Sequence, residues 1–266
     1  MSRRVEREAA DRLLAAAATG VACAPVAELI GLDDVHAAYR VQSLVVDRRL
    51  ADGATIIGRK IGLTAKGVQE QVGVDRPDFG VLLDQMAYAD GDTVPMSRLL
   101  QPRAEAEVAF VLGTDLTGPL DSAAIRRSVS SAVAAIEIVD SRIADWDIAI
   151  TDTIADNASS GVFVLGREAL TLEHFEPVDV VMEMIRNGET VSRGNGWACL
   201  DDPLNALAWL ARTAIDVGSP LRAGDIVLSG ALGPMIPVEP GDVIEAKIEP
   251  LGSLSVRFSK EDRECP

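Results

Sequence analysis

The chain has 266 residues, 48% of them hydrophobic and 25% charged, the composition of a folded globular protein rather than a disordered one. Its 41 acidic residues against 25 basic ones give a net charge of −16, which repels phosphate backbones and anionic bilayers, and 4% aromatics leaves little for base stacking. Neither nucleic acid nor membrane is an expected partner. Three cysteines without a CxxC pair and two histidines argue against a disulfide framework or a His/Cys zinc site, and point to a reducing cytoplasm.

The length suits one large domain or a body with a small appendage. Residues 1–53 read as an N-terminal helical region. Val5, Ala9, Leu13 and Ala16 repeat at helical spacing over residues 5–19, and Gly20 stops the pattern. Arg3-Arg4 and the short alanine run faintly imitate a secretion signal, but Glu6, Glu8 and Asp11 interrupt it. A second helix starts after Asp33 or Asp34 and runs to about Leu50.

Residues 54–266 read as a strand-rich body. A β-branched strand covers 54–62, Thr64 caps a short helix over 65–72, and the glycine-bounded loop 73–80 has the character of a lid. A strand at 104–112 is followed by a helix over 122–133 capped by Asp121, then strands at 134–139 and 161–165. Asn187-Gly188 marks a hairpin within 178–193, and Asp202-Pro203 opens a helix to about 217. Strands at 226–229, 235–238, 243–248 and 254–258 close the chain. The fold class is α+β, with a curled antiparallel or mixed sheet.

Glu105 and Glu107 lie two apart in a strand, so their carboxylates share a face. Glu137 sits inside the otherwise apolar run 134–139, where a charge needs a partner. Three carboxylates from two strands suit a hard divalent cation such as Mg²⁺ or Mn²⁺. The alternative is a solvated sheet edge carrying Glu105 and Glu107, with Glu137 paired to Arg103 or Arg142. Lys60 is either a buried functional amine or a snorkelling edge residue. Asp78 reads as a turn residue. Asp152, Asp156 and Asn157 form turns or belong to a site, in a small polar stretch whose backbone a ligand can approach.

Gly58-Arg59-Lys60-Ile61-Gly62, Asp75-Arg76-Pro77-Asp78-Phe79-Gly80, Gln101-Pro102-Arg103-Ala104-Glu105-Ala106-Glu107, Asp156-Asn157-Ala158-Ser159-Ser160-Gly161 and Ser229-Gly230-Ala231-Leu232-Gly233-Pro234-Met235 occur in this order. Together they resemble the 2-oxopent-4-enoate (2-hydroxypenta-2,4-dienoate) hydratases of the fumarylacetoacetate hydrolase superfamily, over nearly the whole chain. The resemblance implies a mixed β-roll of the fumarylacetoacetate hydrolase C-terminal type behind an N-terminal helical region, and a homo-oligomer. It implies Mg²⁺ or Mn²⁺ on Glu105, Glu107 and Glu137, acid–base work by Lys60 and Asp78, and the substrate carboxylate on Ser160. The implied reaction adds water to the 2-hydroxydienoate, giving 4-hydroxy-2-oxopentanoate or a homologue in meta-cleavage degradation of aromatic compounds. Burial beside the metal is expected to lower the Lys60 pKa. The related hydrolases' histidine dyad has no counterpart, so C–C hydrolysis is not expected. Competing readings are a 4-oxalocrotonate decarboxylase and a non-catalytic metal-stabilised module docking to a pathway aldolase or decarboxylase.

Overall fold

A computed structural model describes residues 3–65, 69, 74, 76–118 and 120–260. The chain opens with helices α1 (Arg3–Thr19), α2 (Ala27–Ile30) and α3 (Val35–Ala51). Gly20, at φ 72°, ends α1, and the Asp34 carboxylate caps α3 by accepting from Ala37 N at 2.9 Å. Strands β1 (Ile56–Gly62), β2 (Asp78–Leu83), β3 (Ala87–Ala89), β4 (Thr93–Val94) and β5 (Pro102–Leu112) follow. Next come α4 (Ser122–Ser128), β6 (Val129–Asp140), α5 (Ile150–Ala155), β7 (Ser160–Leu170), β8 (Val181–Arg186) and β9 (Glu189–Asn195). The last elements are α6 (Pro203–Asp216), β10 (Ile226–Ala231), β11 (Ile236–Pro237), β12 (Val243–Glu249) and β13 (Gly252–Phe258).

The strands form two sheets. The larger, eight-stranded and mixed, runs β2-β1-β10-β5-β6-β7-β3, with β11 also on β5. The smaller runs β4-β13-β12-β8-β9. Phe110, Ile136 and Ile138 of the large sheet, Ile244 and Val256 of the small one and Leu210 of α6 belong to one buried cluster. A second cluster joins Ala9, Leu13, Ile30 and Val41 of the helical region to Ile154 and Ala155 of α5. The N-terminal helices therefore share a core with the body. Buried Gln42 on α3 adds a polar tie, donating to Phe79 O at 2.8 Å and Ile154 O at 3.0 Å.

The hairpin at Asn187-Gly188 and the Asp202 cap on α6 stand where the sequence places them, the latter accepting from Leu204 N at 2.8 Å. The helix expected over 122–133 is shorter. It ends at Ser128, and Val129 onward joins β6, whose pairing with β5 extends from Leu112↔Val129 to Pro102↔Asp140. Ladder formation and the β-branched Val129 and Val133 outweigh the helical start. Much of the helix expected over 65–72 lies outside the described residues, as do Gly73 and Asp75 of the expected lid. The far end of that lid, Asp78 to Gly80, is not a loop but the start of β2. No described helix is long and apolar enough to cross a bilayer.

Candidate active site

The acidic cluster is a product of strand register. Antiparallel pairing sets Glu105 of β5 directly opposite Glu137 of β6. Glu107 follows on the same face, opposite Ala231 of β10. One carboxylate oxygen from each of the three lies within 4.8 Å of the others. All are buried, at 8%, 0% and 1% exposure in chain order. Glu107 Oε2 accepts from Gly230 N at 2.7 Å. Gly230 has φ +110°, and a Cβ there would overlap the Thr64 side chain, so glycine is required for that donor. Glu107 Oε1 and both Glu137 oxygens have no hydrogen-bond partner.

Lys60 is not an edge residue. It sits mid-strand in β1, between Gly80 of β2 and Leu228 of β10, with its side chain 2% exposed. Its Nζ lies 3.1 Å from Glu137 Oε1, an ion pair without hydrogen-bond geometry. Glu137 is thus partnered by neither arginine the sequence offers. Arg103 stacks over the Trp146 ring, 4.5 Å from its centroid, and Arg142 grips Asp156 at 2.6 Å. Asp78 pairs with Gly62 across β1–β2, is 1% exposed, and accepts from Thr153 Oγ1 at 2.9 Å. A Cβ on Gly62 would overlap Asp78 Oδ1 and lie 3.7 Å from Lys60 Nζ, which locates the carboxylate and the amine over one glycine.

Burial and crowded charge perturb Glu105, Glu107, Asp78 and Lys60. Burial and then the Glu137 charge push Glu105 up to about 7. Burial, Glu137 and Glu105 carry Glu107 well above the carboxylate range. Burial also raises Asp78, against the pull of Lys60 and the Thr153 hydrogen bond. For Lys60, burial opposes the charge, but Glu137, Asp78, Glu105 and Glu107 outweigh it and its pKa is raised. The lowering expected from burial is therefore reversed by the four surrounding carboxylates. A buried, oxygen-only donor set with unpartnered oxygens fits a hard divalent cation, which would relieve the mutual repulsion.

The adjoining space is small, about 40 Å³, with Lys60, Asp78, Glu105, Thr153 and Ser159 on its polar side and Val139, Trp146, Ile148 and Met235 among its apolar walls. Ser160, the residue matched to the substrate carboxylate, does not line it. Its hydroxyl donates to Asn157 O at 2.7 Å, and the residue lines a different cavity. Ser159 does line it, and its buried hydroxyl has no partner. The difference comes from the backbone. Asn157, Ala158 and Ser159 are all left-handed, at φ 56°, 53° and 51°. Three consecutive non-glycine residues in that region are strained and need external support.

The support is visible. The Asn157 side chain accepts from Val81 N at 2.7 Å and donates to Val81 O at 2.9 Å. Arg142 donates to Asp156 Oδ1 and Asp156 O, each at 2.6 Å, and to Ser160 O at 2.8 Å. Asp152 is structural, accepting from Val26, Ala27 and Ala149 N–H groups at 2.7, 2.8 and 2.9 Å. Thr153, Trp146 and Ser159 are the participants that pattern reading did not single out, and Arg142, read there only as a partner for Glu137, braces the turn instead. The run of small polar residues at 156–161 was the available signal.

The fumarylacetoacetate (FAA) hydrolase C-terminal family model matches residues 57–259. The chain is 52% identical to a TodF product hydratase of Pseudomonas putida, covering 96% of this chain and 95% of that protein. It is 48% identical to a 2-keto-4-pentenoate hydratase of Paraburkholderia xenovorans, covering 97% and 96%. The 4-oxalocrotonate decarboxylase of Pseudomonas putida G7, solved with magnesium and adipate, superposes with a TM-score of 0.92 at 31% identity, over 97% of this chain and 98% of that one. With its glutamates converging as the motif order implies, the chain belongs to the FAA hydrolase family and, within it, to the 2-keto-4-pentenoate hydratases.

Proposed function

We propose that this protein hydrates 2-hydroxypenta-2,4-dienoate, the enol of 2-keto-4-pentenoate, or a substituted homologue, to the 4-hydroxy-2-oxo acid in meta-cleavage degradation of aromatic compounds. The observation that carries it is the buried triad Glu105, Glu107 and Glu137 beside the buried pair Lys60 and Asp78, in a chain about half identical to such hydratases.

Glu105, Glu107 and Glu137 would hold the cation. A bound Mg²⁺ or Mn²⁺ supplies Lewis acidity toward the carboxylate and 2-oxygen of a 2-oxo acid. In the net reaction the enol proton leaves O2, a proton arrives at C5, and water then delivers hydroxyl to C4 and a proton to C3. Lys60 and Asp78 hold and move those protons. Lys60 stays charged through its carboxylate neighbours, and Asp78 is driven toward its protonated form by burial. Thr153 fixes the Asp78 carboxylate, leaving Oδ1 directed at the space over Gly62. Ser159, rather than Ser160, offers a hydroxyl to the substrate carboxylate, because its Oγ is unpartnered and lines the site.

A non-catalytic metal module has no use for an amine and a fourth carboxylate buried beside the triad. The decarboxylase reading rests on a relative at 31% identity, against 52% and 48% for the hydratases. We place the enzyme in the cytoplasm as a homo-oligomer, the setting the resemblance implies. The test offers 2-hydroxypenta-2,4-dienoate and 4-oxalocrotonate separately with Mg²⁺ and follows product by NMR. Hydration of the first with little CO₂ from the second is expected. Faster CO₂ release would assign the decarboxylase.

A further inference from the structure

A second cavity, of about 280 Å³, lies behind the site, between residues of α1 and α3 and the 156–162 segment. Its lining carries the arginines Arg49, Arg98 and Arg142 and the carboxylates Asp140 and Asp156. Both carboxylates are engaged. Asp156 accepts from Arg142 N at 2.9 Å and Arg142 Nε at 2.6 Å. Asp140 accepts from Leu100 N at 2.9 Å and Gln101 N at 2.6 Å, and lies 3.9 Å from Arg142 Nη1. Both carboxylates thus lie against Arg142, and among the described residues neither Arg49 nor Arg98 is in ion-pair distance of a carboxylate.

Among the described residues Arg98 donates to neutral groups, Tyr88 Oη at 2.8 Å and Gln85 O at 3.1 Å, with the Tyr88 ring 5.7 Å from its guanidinium carbon. Arg49, half-buried, has no side-chain hydrogen bond or ion pair among the described residues. Burial, then the charges of Arg142 and Arg98, disfavour its cation, and Asp52 opposes them. A half-buried guanidinium such as Arg49 without a close counter-charge is costly, the more so in a protein that has carboxylates in excess to offer. The planar donor fork of arginine matches carboxylate and phosphate oxygens, and two such forks on one cavity match a compact dianion.

We propose that this cavity binds a small dianion, phosphate or a short dicarboxylate, between Arg49 and Arg98, with Arg142 behind it. The carboxylate-rich catalytic cluster cannot serve the same ligand without a cation. The cavity borders the strained turn whose Ala158 and Ser159 line the catalytic space, and Arg142 holds the residues on either side of that turn, Asp156 and Ser160. The inference does not depend on the hydration chemistry.

The test is calorimetric titration of the full chain, as purified, with inorganic phosphate and separately with succinate. Saturable binding of one anion per chain is expected, weakened about tenfold or more in Arg49→Gln and in Arg98→Gln, in line with losing a charge-assisted contact. Tighter phosphate assigns a phosphate site, and tighter succinate a dicarboxylate site. Because Arg49→Gln removes an unneutralised cation, folding is expected to survive, and exposed Arg98 supplies an independent variant. Unchanged affinity in Arg49→Gln would place the anion elsewhere. That result, or no saturable heat with either probe up to about 10 mM, overturns the proposal.

Discussion

Glu107→Gln should improve the fold and damage the metal site at once. Glu107 is fully buried, and one of its carboxylate oxygens lies within 4.8 Å of oxygens from Glu105 and Glu137. In chelator, without a cation, burial and those two charges favour its protonated form. A carboxyl whose folded pKa is raised contributes stability that is complete below its unfolded value and is lost as pH rises toward the folded one. Relative to an amide of the same shape, wild type therefore loses stability as pH rises above an unfolded value of about 4.3, by at most about 1.4 kcal/mol per pH unit. The ceiling at pH 7 is about 3.7 kcal/mol. At about 2 °C per kcal/mol for a chain of this length, the variant should melt several degrees higher in EDTA at pH 7, with the gain vanishing near pH 4. The amide still presents an oxygen to Gly230 N, but one anionic donor of three is gone, and Mn²⁺ affinity should fall about 100-fold. Thermal melts in EDTA at both pH values and calorimetric Mn²⁺ titration read the two effects. A variant that melts lower than wild type at pH 7 in EDTA and binds Mn²⁺ as tightly would refute the reasoning.

Lys60→Ala and Asp78→Asn should each reduce turnover about 10²-fold or more, the range for losing an acid–base group, with normal turnover removing the residue from the mechanism. Gly62→Ala should lower kcat at unchanged Mn²⁺ affinity, since its Cβ overlaps Asp78 Oδ1; full activity would mean the carboxylate is not needed there. Mn²⁺ binding should weaken about fivefold or more between pH 7 and pH 6, because Glu105, at about 7 in the empty site, must release its proton to bind and Glu107, raised further, adds to the loss; a flat profile would exclude both from the ligand set. Ser159→Ala should raise KM more than Ser160→Ala, and the reverse order would restore Ser160 to the substrate.

The i, i+2 glutamates were legible because a strand's alternation is fixed by its pleat, and Glu137 because a lone charge in an apolar run has few explanations. Register was not legible. Nothing local in 102–112 or 129–140 says that Glu105 meets Glu137 rather than a residue two positions away, and that choice is made by eleven residues of ladder contact and the core beneath. Asp78 reads as a turn residue because Pro77 and Gly80 flank it, yet pairing with β1 turns it into the first residue of a buried strand. Ser159 and Ser160 are chemically identical neighbours. A left-handed backbone held by Arg142 and Asn157, which no propensity predicts, decides which one faces the site.

Anomalous diffraction from a crystal soaked with Mn²⁺ and oxalate, collected at the manganese edge, bears most directly on whether these glutamates form a metal centre. One peak about 2.0–2.2 Å from oxygens of Glu105, Glu107 and Glu137, with oxalate chelating on its open side, is the expected result. A map with no peak among the three carboxylates, or an ion there with no place left for oxalate, would contradict it.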